Sequence, residues 1–266
     1  MFNERVEIVG NAKINASYWK LTFRSRKIAA KSRPGHFVNL QVENSYDPFL
    51  RRPFSVYRVK SDKVELLYEV VGKGTQIMSR FQPGDTTEVL APLGRLYATP
   101  KKGQKFILVG GGVGIVPLVY WDEVYGADYL IMGHRHGAQV LPPEELGNKK
   151  SKKFISTNDG SAGRKGFVTD ILKTILEKEK GNPCYILTCG PTVMMDAVRT
   201  LAAQYHVPGE LSVEETMACG VGACLGCVVE TKTGYKTSCL EGPVFPLSDF
   251  KHLNTPPVHL ASACTK

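Results

Sequence analysis

The sequence predicts a multi-domain chain of three successive units: an N-terminal antiparallel β-barrel over 1–100, a central α/β doubly wound parallel sheet over 101–210, and a small C-terminal β-rich unit over 211–266. Three observations carry this reading. Short β-prone runs with turn signals fill the first hundred residues, strands and helices alternate through the next hundred, and four cysteines crowd the last stretch. A chain of 266 residues is long enough for two or three cores of about 100–150 residues each.

In the first unit, Tyr18 to Phe23, His36 to Val42 and Val64 to Val71 are alternating or β-prone runs, and Pro34-Gly35 and Pro83-Gly84-Asp85 are turn signals. Several such strands at close spacing make a small barrel. One helix is expected over Thr75 to Phe81, with Thr75 as its N-cap after Gly72-Lys73-Gly74. Tyr97 to Gln104, with Pro100, Lys101, Lys102 and Gly103, reads as a linker.

Beyond it, Lys105 to Val109 is a buried strand, the glycines at 110–112 and 114 make a turn, and Ile115 to Val124 continues as a helix. Strands follow at Tyr129 to Met132, Lys153 to Ser156 and Tyr185 to Thr188, with helices at Phe167 to Glu177 and Pro191 to Gln204. Parallel strands joined by right-handed crossovers bind ligands at their carboxyl ends. The run Gly110-Gly-Gly-Val-Gly-Ile-Val-Pro-Leu118 is not a G-x-G-x-x-G fingerprint, because Pro117 stands where the last glycine belongs. His134, Arg135 and His136 follow a strand end and read as surface loop residues, since no third metal ligand is in view.

The last unit is organised by Cys219, Cys224 and Cys227, spaced C-x4-C-x2-C, with Cys239 following after eleven more residues. This is the ligand spacing of a plant-type [2Fe-2S] cluster. Three thiolates on one tight loop need a backbone that comes close to the inorganic core. Gly220, Gly222, Ala223 and Gly226 permit that approach. Cys239 arrives after a hairpin suggested by Val228 to Thr231 and Gly234 to Thr237. Structural zinc is the alternative for four cysteines, although zinc ribbons usually present two C-x2-C pairs.

Composition bounds the rest. No apolar run approaches the roughly 18 residues of a membrane span, and Met1-Phe-Asn-Glu-Arg-Val-Glu carries charges where a signal peptide needs an apolar core, so a cytoplasmic protein without a membrane partner is expected. Cys184, Cys189 and Cys264 form no disulfide framework. The net charge of +9 is uneven: residues 1–60 hold twelve Lys and Arg against four Asp and Glu, while residues 201–266 hold four against six. Charge confined to one unit fits an anionic cofactor better than a nucleic acid, and no nucleic-acid partner is expected.

Within the barrel, Arg51-Arg52-Pro53-Phe54-Ser55 followed by Gly72-Lys73-Gly74-Thr75 resembles the ferredoxin-reductase family of flavoproteins, whose R-P-x-S strand lies along FAD. The resemblance implies that Arg52, Pro53, Phe54 and Ser55 bind FAD, with Leu67, Tyr68 and Glu69 along the flavin edge through their backbone and Gly74 and Thr75 at the phosphates. An arginine fork suits a pyrophosphate. The same family carries G-x-G-x-x-P and C-G-P at its nicotinamide site, here Gly112-x-Gly114-x-x-Pro117 and Cys189-Gly190-Pro191, which assigns Gly111, Gly112, Gly114, Cys189, Gly190 and Pro191 to NAD. Asp159-Gly160-Ser161 with Gly163 and Gly166 is similar to the family's dinucleotide loop, and Arg164 and Lys165 leave NADP open.

A nicotinamide exchanges two electrons at once and an iron–sulfur cluster one, whereas a flavin does both, so the three modules together imply a two-electron to one-electron converter. The run Glu214-Glu215-Thr216-Met217-Ala218-Cys219-Gly220-Val221-Gly222-Ala223-Cys224-Leu225-Gly226-Cys227, with Cys239 and Glu241-Gly242-Pro243-Val244-Phe245, resembles the electron-transfer subunits of dihydroorotate dehydrogenase B. That resemblance implies a partner catalytic subunit carrying FMN, two of each chain in a heterotetramer, and electrons passing from dihydroorotate through the cluster and FAD to NAD+ in pyrimidine biosynthesis. Sister subunits serving a ferredoxin:NADP transhydrogenase or a hydrogenase are the alternative. A zinc-bearing nucleic-acid-binding protein is the rival from another class.

Overall fold

The computed structural model describes residues 1–253; Cys264 and the end of the expected third unit lie outside the described residues. The first seven strands are β1 (Phe2–Lys13), β2 (Tyr18–Arg24), β3 (Phe37–Leu40), β4 (Arg52–Ser55), β5 (Arg58–Lys60), β6 (Lys63–Glu69) and β7 (Thr86–Leu93). Among the described residues they form one antiparallel sheet in the order β4-β3-β7-β1-β2-β6-β5. Period-two alternation sends Val89 and Ala91 of β7 inward, where with Val6 and Ile8 of β1 they join Leu21, Phe23, Val38, Leu40 and Leu66 in one core. The sheet closes on itself through a single stretch of chain. β4 pairs with β3 and β5 with β6, and between them the Val56 amide donates to the His36 carbonyl at 3.0 Å while the Tyr57 amide donates to the Glu65 carbonyl at 2.9 Å.

The barrel's two helices are α1 (Arg26–Lys31) and α2 (Lys73–Met78). α2 starts two residues before the expected Thr75 and ends at Met78, with Gly72 as its N-cap. Thr75 is the third helical residue instead. Its hydroxyl accepts from the amides of Val71 (2.9 Å) and Gly72 (3.1 Å), reaching back from the third helical position to the N-cap backbone as the acceptor in a capping box does.

The second sheet contains β8 (Lys105–Gly111), β9 (Tyr129–His134), β10 (Lys152–Thr157), β11 (Arg164–Lys165), β12 (Cys184–Cys189) and β13 (Gly209–Ser212), with α3 (Ile115–Tyr125), α4 (Val168–Lys178) and α5 (Thr192–Gln204) as crossovers. Its order, β11-β10-β9-β8-β12-β13, is parallel and reverses direction between β8 and β12. That reversal is the switch point at which such sheets hold ligands. Alternate residues of β8 serve two cores: Ile107 and Val109 pack with α4 and α5, Phe106 and Leu108 with α3. α3 is buried from Ile115 through Asp122 because it is sandwiched between this sheet and the barrel; its Tyr120 packs in the barrel core and donates to the Ser32 carbonyl at 3.2 Å.

The remaining strands are β14 (Val228–Thr231), β15 (Gly234–Thr237) and β16 (Val244–Pro246). β14 and β15 form a hairpin, while β16 returns to pair antiparallel with β13. The position expected as the start of the third unit, 211, therefore falls inside β13, and the cysteine loop is anchored at both ends to the second sheet. The expected linker is also pinned, since Tyr97 is buried, the Ala98 amide donates to Glu210 at 2.7 Å and the Trp121 indole donates to the Ala98 carbonyl at 2.9 Å. No helix among the described residues is long and apolar enough to cross a membrane.

Candidate functional site

A cleft of about 400 Å³ opens where the three units meet. The barrel contributes Pro53, Phe54 and Ser55 of β4, Leu67, Tyr68 and Glu69 of β6, Phe37, Val71 and Thr75; the second unit contributes Val113 and Val116; and Ser212 to Met217 with Pro243 form the wall that leads to the cysteine loop. The volume lies within the range of small-molecule sites, about 300–1,000 Å³. Tyr68 turns its ring into the barrel, where its hydroxyl donates to Asn11 at 3.0 Å, so what it offers the cleft is backbone. Arg52 lies beside the first turn of α2: a Cβ at Gly74 would stand 2.8 Å from the Arg52 Nε. The sequence residues Arg52, Gly74 and Thr75 thus come together at one end of the same strand that lines the cleft.

Carboxyl groups ring the other end. Burial pushes the Glu69 carboxyl up, partly offset by Arg135, and burial together with Glu69 pushes Glu214 up. Glu214 itself is exposed to the open cleft. Burial raises Glu215 as well. This wall fits the neutral ring end of a flavin, while the basic Arg52 end fits its phosphates.

At the switch point, the turn after β8 touches the turn after β12. A Cβ at Gly114 would fall 2.5 Å from the Gly190 nitrogen and Cα, and one at Gly111 would fall 2.9 Å from Pro191 Cδ. Only glycine permits this approach, so Gly111, Gly112, Gly114, Gly190 and Pro191 form one surface at the carboxyl ends of the strands. Cys189 is buried beneath it. Burial, then Glu214, hold its thiol well above the ordinary range against the Ser212 hydroxyl, so it is no ready nucleophile. Arg164 and Lys165 are exposed on β11 at the sheet edge, and Ser161 closes the adjacent loop by donating to Asp159 at 2.6 Å. His134 departs from the surface-loop expectation: it is the last residue of β9, buried, with neither ring nitrogen partnered.

Cys227 and Cys239 pack together in one buried cluster with Phe37, Leu93 and Met217, and the Cys224 amide reaches Cys219 Sγ at 3.4 Å. Among the described residues no three His, Cys, Asp or Glu side chains converge on one point. The C-x4-C-x2-C spacing with one distant cysteine would hold a [2Fe-2S] cluster, whereas zinc ribbons usually present two C-x2-C pairs. Backbone amides turn toward the sulfurs: Val221 and Cys224 donate to Cys219 Sγ at 3.4 Å each, and Gly222 donates to Cys239 Sγ at 3.1 Å. These donors outweigh burial and bring the Cys219 thiol down to about 6, while burial and then Cys227 push Cys239 up to about 12. Leu225 takes the left-handed conformation at φ 56°, rare outside glycine, to keep the loop tight. The donor set therefore fits a [2Fe-2S] cluster.

Sequence reasoning missed Phe37, Val113, Val116 and the whole wall Ser212 to Met217. Phe37 in its strand, Val113 in the glycine turn and Val116 in α3 are apolar and carry no chemical signal of their own; only the position of Glu214 to Met217 directly before the cysteine run hinted at the wall.

A family profile described as the iron-sulfur cluster binding domain of dihydroorotate dehydrogenase B matches residues 214–251. The chain is 37% identical over 254 residues to the dihydroorotate dehydrogenase B (NAD(+)) electron transfer subunit of Desulforamulus reducens, covering 90% of this chain and 96% of that one. It is 36% identical over 242 residues to the corresponding subunit of Clostridium acetobutylicum, covering 90% and 93%. Among solved structures, the NADH-dependent reduced ferredoxin-NADP oxidoreductase superposes with a TM-score of 0.81 at 29% identity, over 92% of this chain and 88% of that one. Phthalate dioxygenase reductase, described as a modular structure for electron transfer from pyridine nucleotides to [2Fe-2S], shares the fold with a TM-score of 0.62 at 18% identity, over 86% and 87%. Three-unit architecture, the four-cysteine loop and end-to-end similarity lead to one conclusion: the chain belongs to the family of electron-transfer subunits of dihydroorotate dehydrogenase B.

Proposed function

We propose that this chain is the electron-transfer subunit through which electrons taken from dihydroorotate reach NAD+ in pyrimidine biosynthesis. Dihydroorotate gives up two electrons and two protons to become orotate; NAD+ takes both electrons and one proton, and the other proton is released. The chain works as an oxidoreductase with FAD, a [2Fe-2S] cluster and NAD, the flavin supplying the exchange between two-electron and one-electron carriers.

The observation that carries this reading is the single cleft lined by all three units, since a converter needs its carriers side by side. Pro53, Phe54 and Ser55, with the backbone of Leu67, Tyr68 and Glu69, hold the flavin, and Arg52 with Gly74 and Thr75 holds its phosphate end. Gly111, Gly112, Gly114, Gly190 and Pro191, with Cys189 buried beneath, orient the nicotinamide dinucleotide. Cys219, Cys224, Cys227 and Cys239 hold the cluster. Glu69 and Glu214 line the same cleft. A catalytic partner subunit completes the enzyme. We assign it FMN, a cytoplasmic location and two copies of each chain per assembly.

An anaerobic visible spectrum of the co-purified complex, before and after dihydroorotate, tests the reading. Bleaching of flavin and cluster bands by dihydroorotate supports it. Bleaching by NADH alone would move the chain to a sister transhydrogenase or hydrogenase system, and absence of both bands in metal-loaded protein would overturn it.

A further inference from the structure

Asn39 occupies the third position of β3, and its side chain is fully buried with neither Nδ2 nor Oδ1 hydrogen-bonded. A buried amide with none of its bonds made is rare and calls for an explanation. Alternation along β3 sets its direction. Val38 and Leu40 enter the barrel core, so Phe37 and Asn39 project from the opposite face, where Phe37 packs with Leu93, Met217, Cys227 and Cys239. The amide lies against the cysteine loop itself: a Cβ at Gly220, the residue after Cys219, would stand 2.8 Å from Asn39 Nδ2. Packing alone would be served by a leucine of similar shape in this apolar setting. A donor is present instead, set against the Gly220 backbone of the loop whose sulfurs already collect amide donors from Val221, Gly222 and Cys224.

We propose that Asn39 is a positioning residue for the cluster, donating from Nδ2 to its sulfur shell and thereby setting its reduction potential from the barrel side. The inference rests on the reading of Cys219, Cys224, Cys227 and Cys239 as cluster ligands. Donors to sulfur stabilise the more negative, reduced state and raise the potential. Phe37, two residues earlier on the same face, lines the flavin cleft, so one short strand touches both cofactor sites.

The test is a potentiometric titration of the assembled holoenzyme followed by electron paramagnetic resonance. Asn39→Leu lowers the cluster midpoint at unchanged FAD and iron content, and Asn39→Asp, which adds negative charge, lowers it further. A second measurement needs no variant. Residues 205–253 contain no asparagine, so in wild-type protein labelled only with 15N-asparagine a 15N coupling to the reduced cluster's spin must come from outside the ligand loop. That coupling is expected in wild type and lost in Asn39→Leu. An unchanged midpoint in iron-replete Asn39→Leu, or no 15N coupling in labelled wild type, overturns the proposal while leaving the cluster reading intact. Wild-type protein with no reducible iron centre, despite full metal loading, overturns both.

Discussion

Arg58 and Glu145 form an ion pair across the seam between the barrel and the second unit, with side-chain exposures of only 3% and 9%. Three further groups join it. Lys20 pairs with the other Glu145 oxygen, Tyr57 donates to Glu145 Oε2 at 3.0 Å, and Arg58 Nε reaches Glu123 of α3 at 2.5 Å. Three residues come from the barrel and two from the second unit, so this network fixes how β4 and β6 face the switch point. Removing one member of a buried pair typically costs about 3–5 kcal/mol. Arg58→Ala should lower the thermal unfolding midpoint by roughly 10 °C at this chain length, and slow NADH-driven flavin reduction. An unchanged midpoint in a scanning calorimeter would show that apolar contacts alone set the seam.

Gly114 makes a separable prediction. In Gly114→Ala the added Cβ collides with the Gly190 backbone, and both turns must give way at the place assigned to nicotinamide. The cleft proposed for the flavin takes only Val113 and Val116 from this segment, and the rest of its lining comes from the barrel and from Ser212 to Met217 with Pro243. Visible absorption of FAD and cluster should therefore persist, while the NADH concentration needed to bleach the flavin rises by on the order of tenfold or more, equivalent to about 1.4 kcal/mol. A wild-type response would place the nicotinamide elsewhere.

How far the sequence foretold this arrangement depends on whether a feature is local. The glycine turn after β8, the cysteine spacing and Arg52 to Ser55 each occupy one short stretch, and each is readable because the chemistry demands particular residue types at fixed offsets. β1 was less legible. Glu4, Arg5 and Glu7 give its twelve residues a polar look, although Val6 and Ile8 point inward. The boundary at 210 was misleading because β16 returns from far along the chain to pair with β13. Asn39 and Glu145 were invisible for the same reason: their partners lie roughly 90 to 180 residues away.

His134 makes the protein acid-sensitive. Burial, then the charge of His136, lower its pKa from 6.5 to about 4. The unfolded chain binds this proton below pH 6.5 and the folded chain only near 4. Stability is thus intact above 6.5, falls as pH drops through the window, and by about pH 4 has lost on the order of 3 kcal/mol. His36, lowered to about 4 by burial, Arg33 and the N-terminus, acts with the same sign. Urea midpoints at pH 7 and pH 5 should differ less in His134→Phe than in wild type. Equal differences would mean that the buried imidazole is not neutral in the folded protein.

Arg52→Ala should lower flavin occupancy of purified protein, because its guanidinium stands against Gly74, where we place the flavin's phosphates. Losing a charge-assisted fork costs about 1.5–3 kcal/mol, or roughly ten- to a hundredfold in FAD affinity. The cysteines lie elsewhere and iron content should stay normal. Full FAD retention in the variant, read from the flavin-to-protein absorbance ratio, would move the pyrophosphate to another residue.

Cys227→Ser separates the cluster from the flavin in the opposite sense. Cys227 and Cys239 are each 2% exposed and pair in the interior of the loop, against Phe37, Leu93 and Met217. A serine hydroxyl there is a poor ligand for iron, and leaving one iron with a single thiolate removes half of its protein attachment. Among the described residues, no cysteine lines the cleft proposed for the flavin. The variant should lose its iron and the long-wavelength cluster absorption, yet keep FAD and still be bleached by NADH, whereas dihydroorotate should no longer reach the flavin in the complex. Wild-type iron content in Cys227→Ser would remove it from the ligand set, and loss of FAD together with iron would show that the wall from Ser212 to Met217 depends on the cluster for its shape.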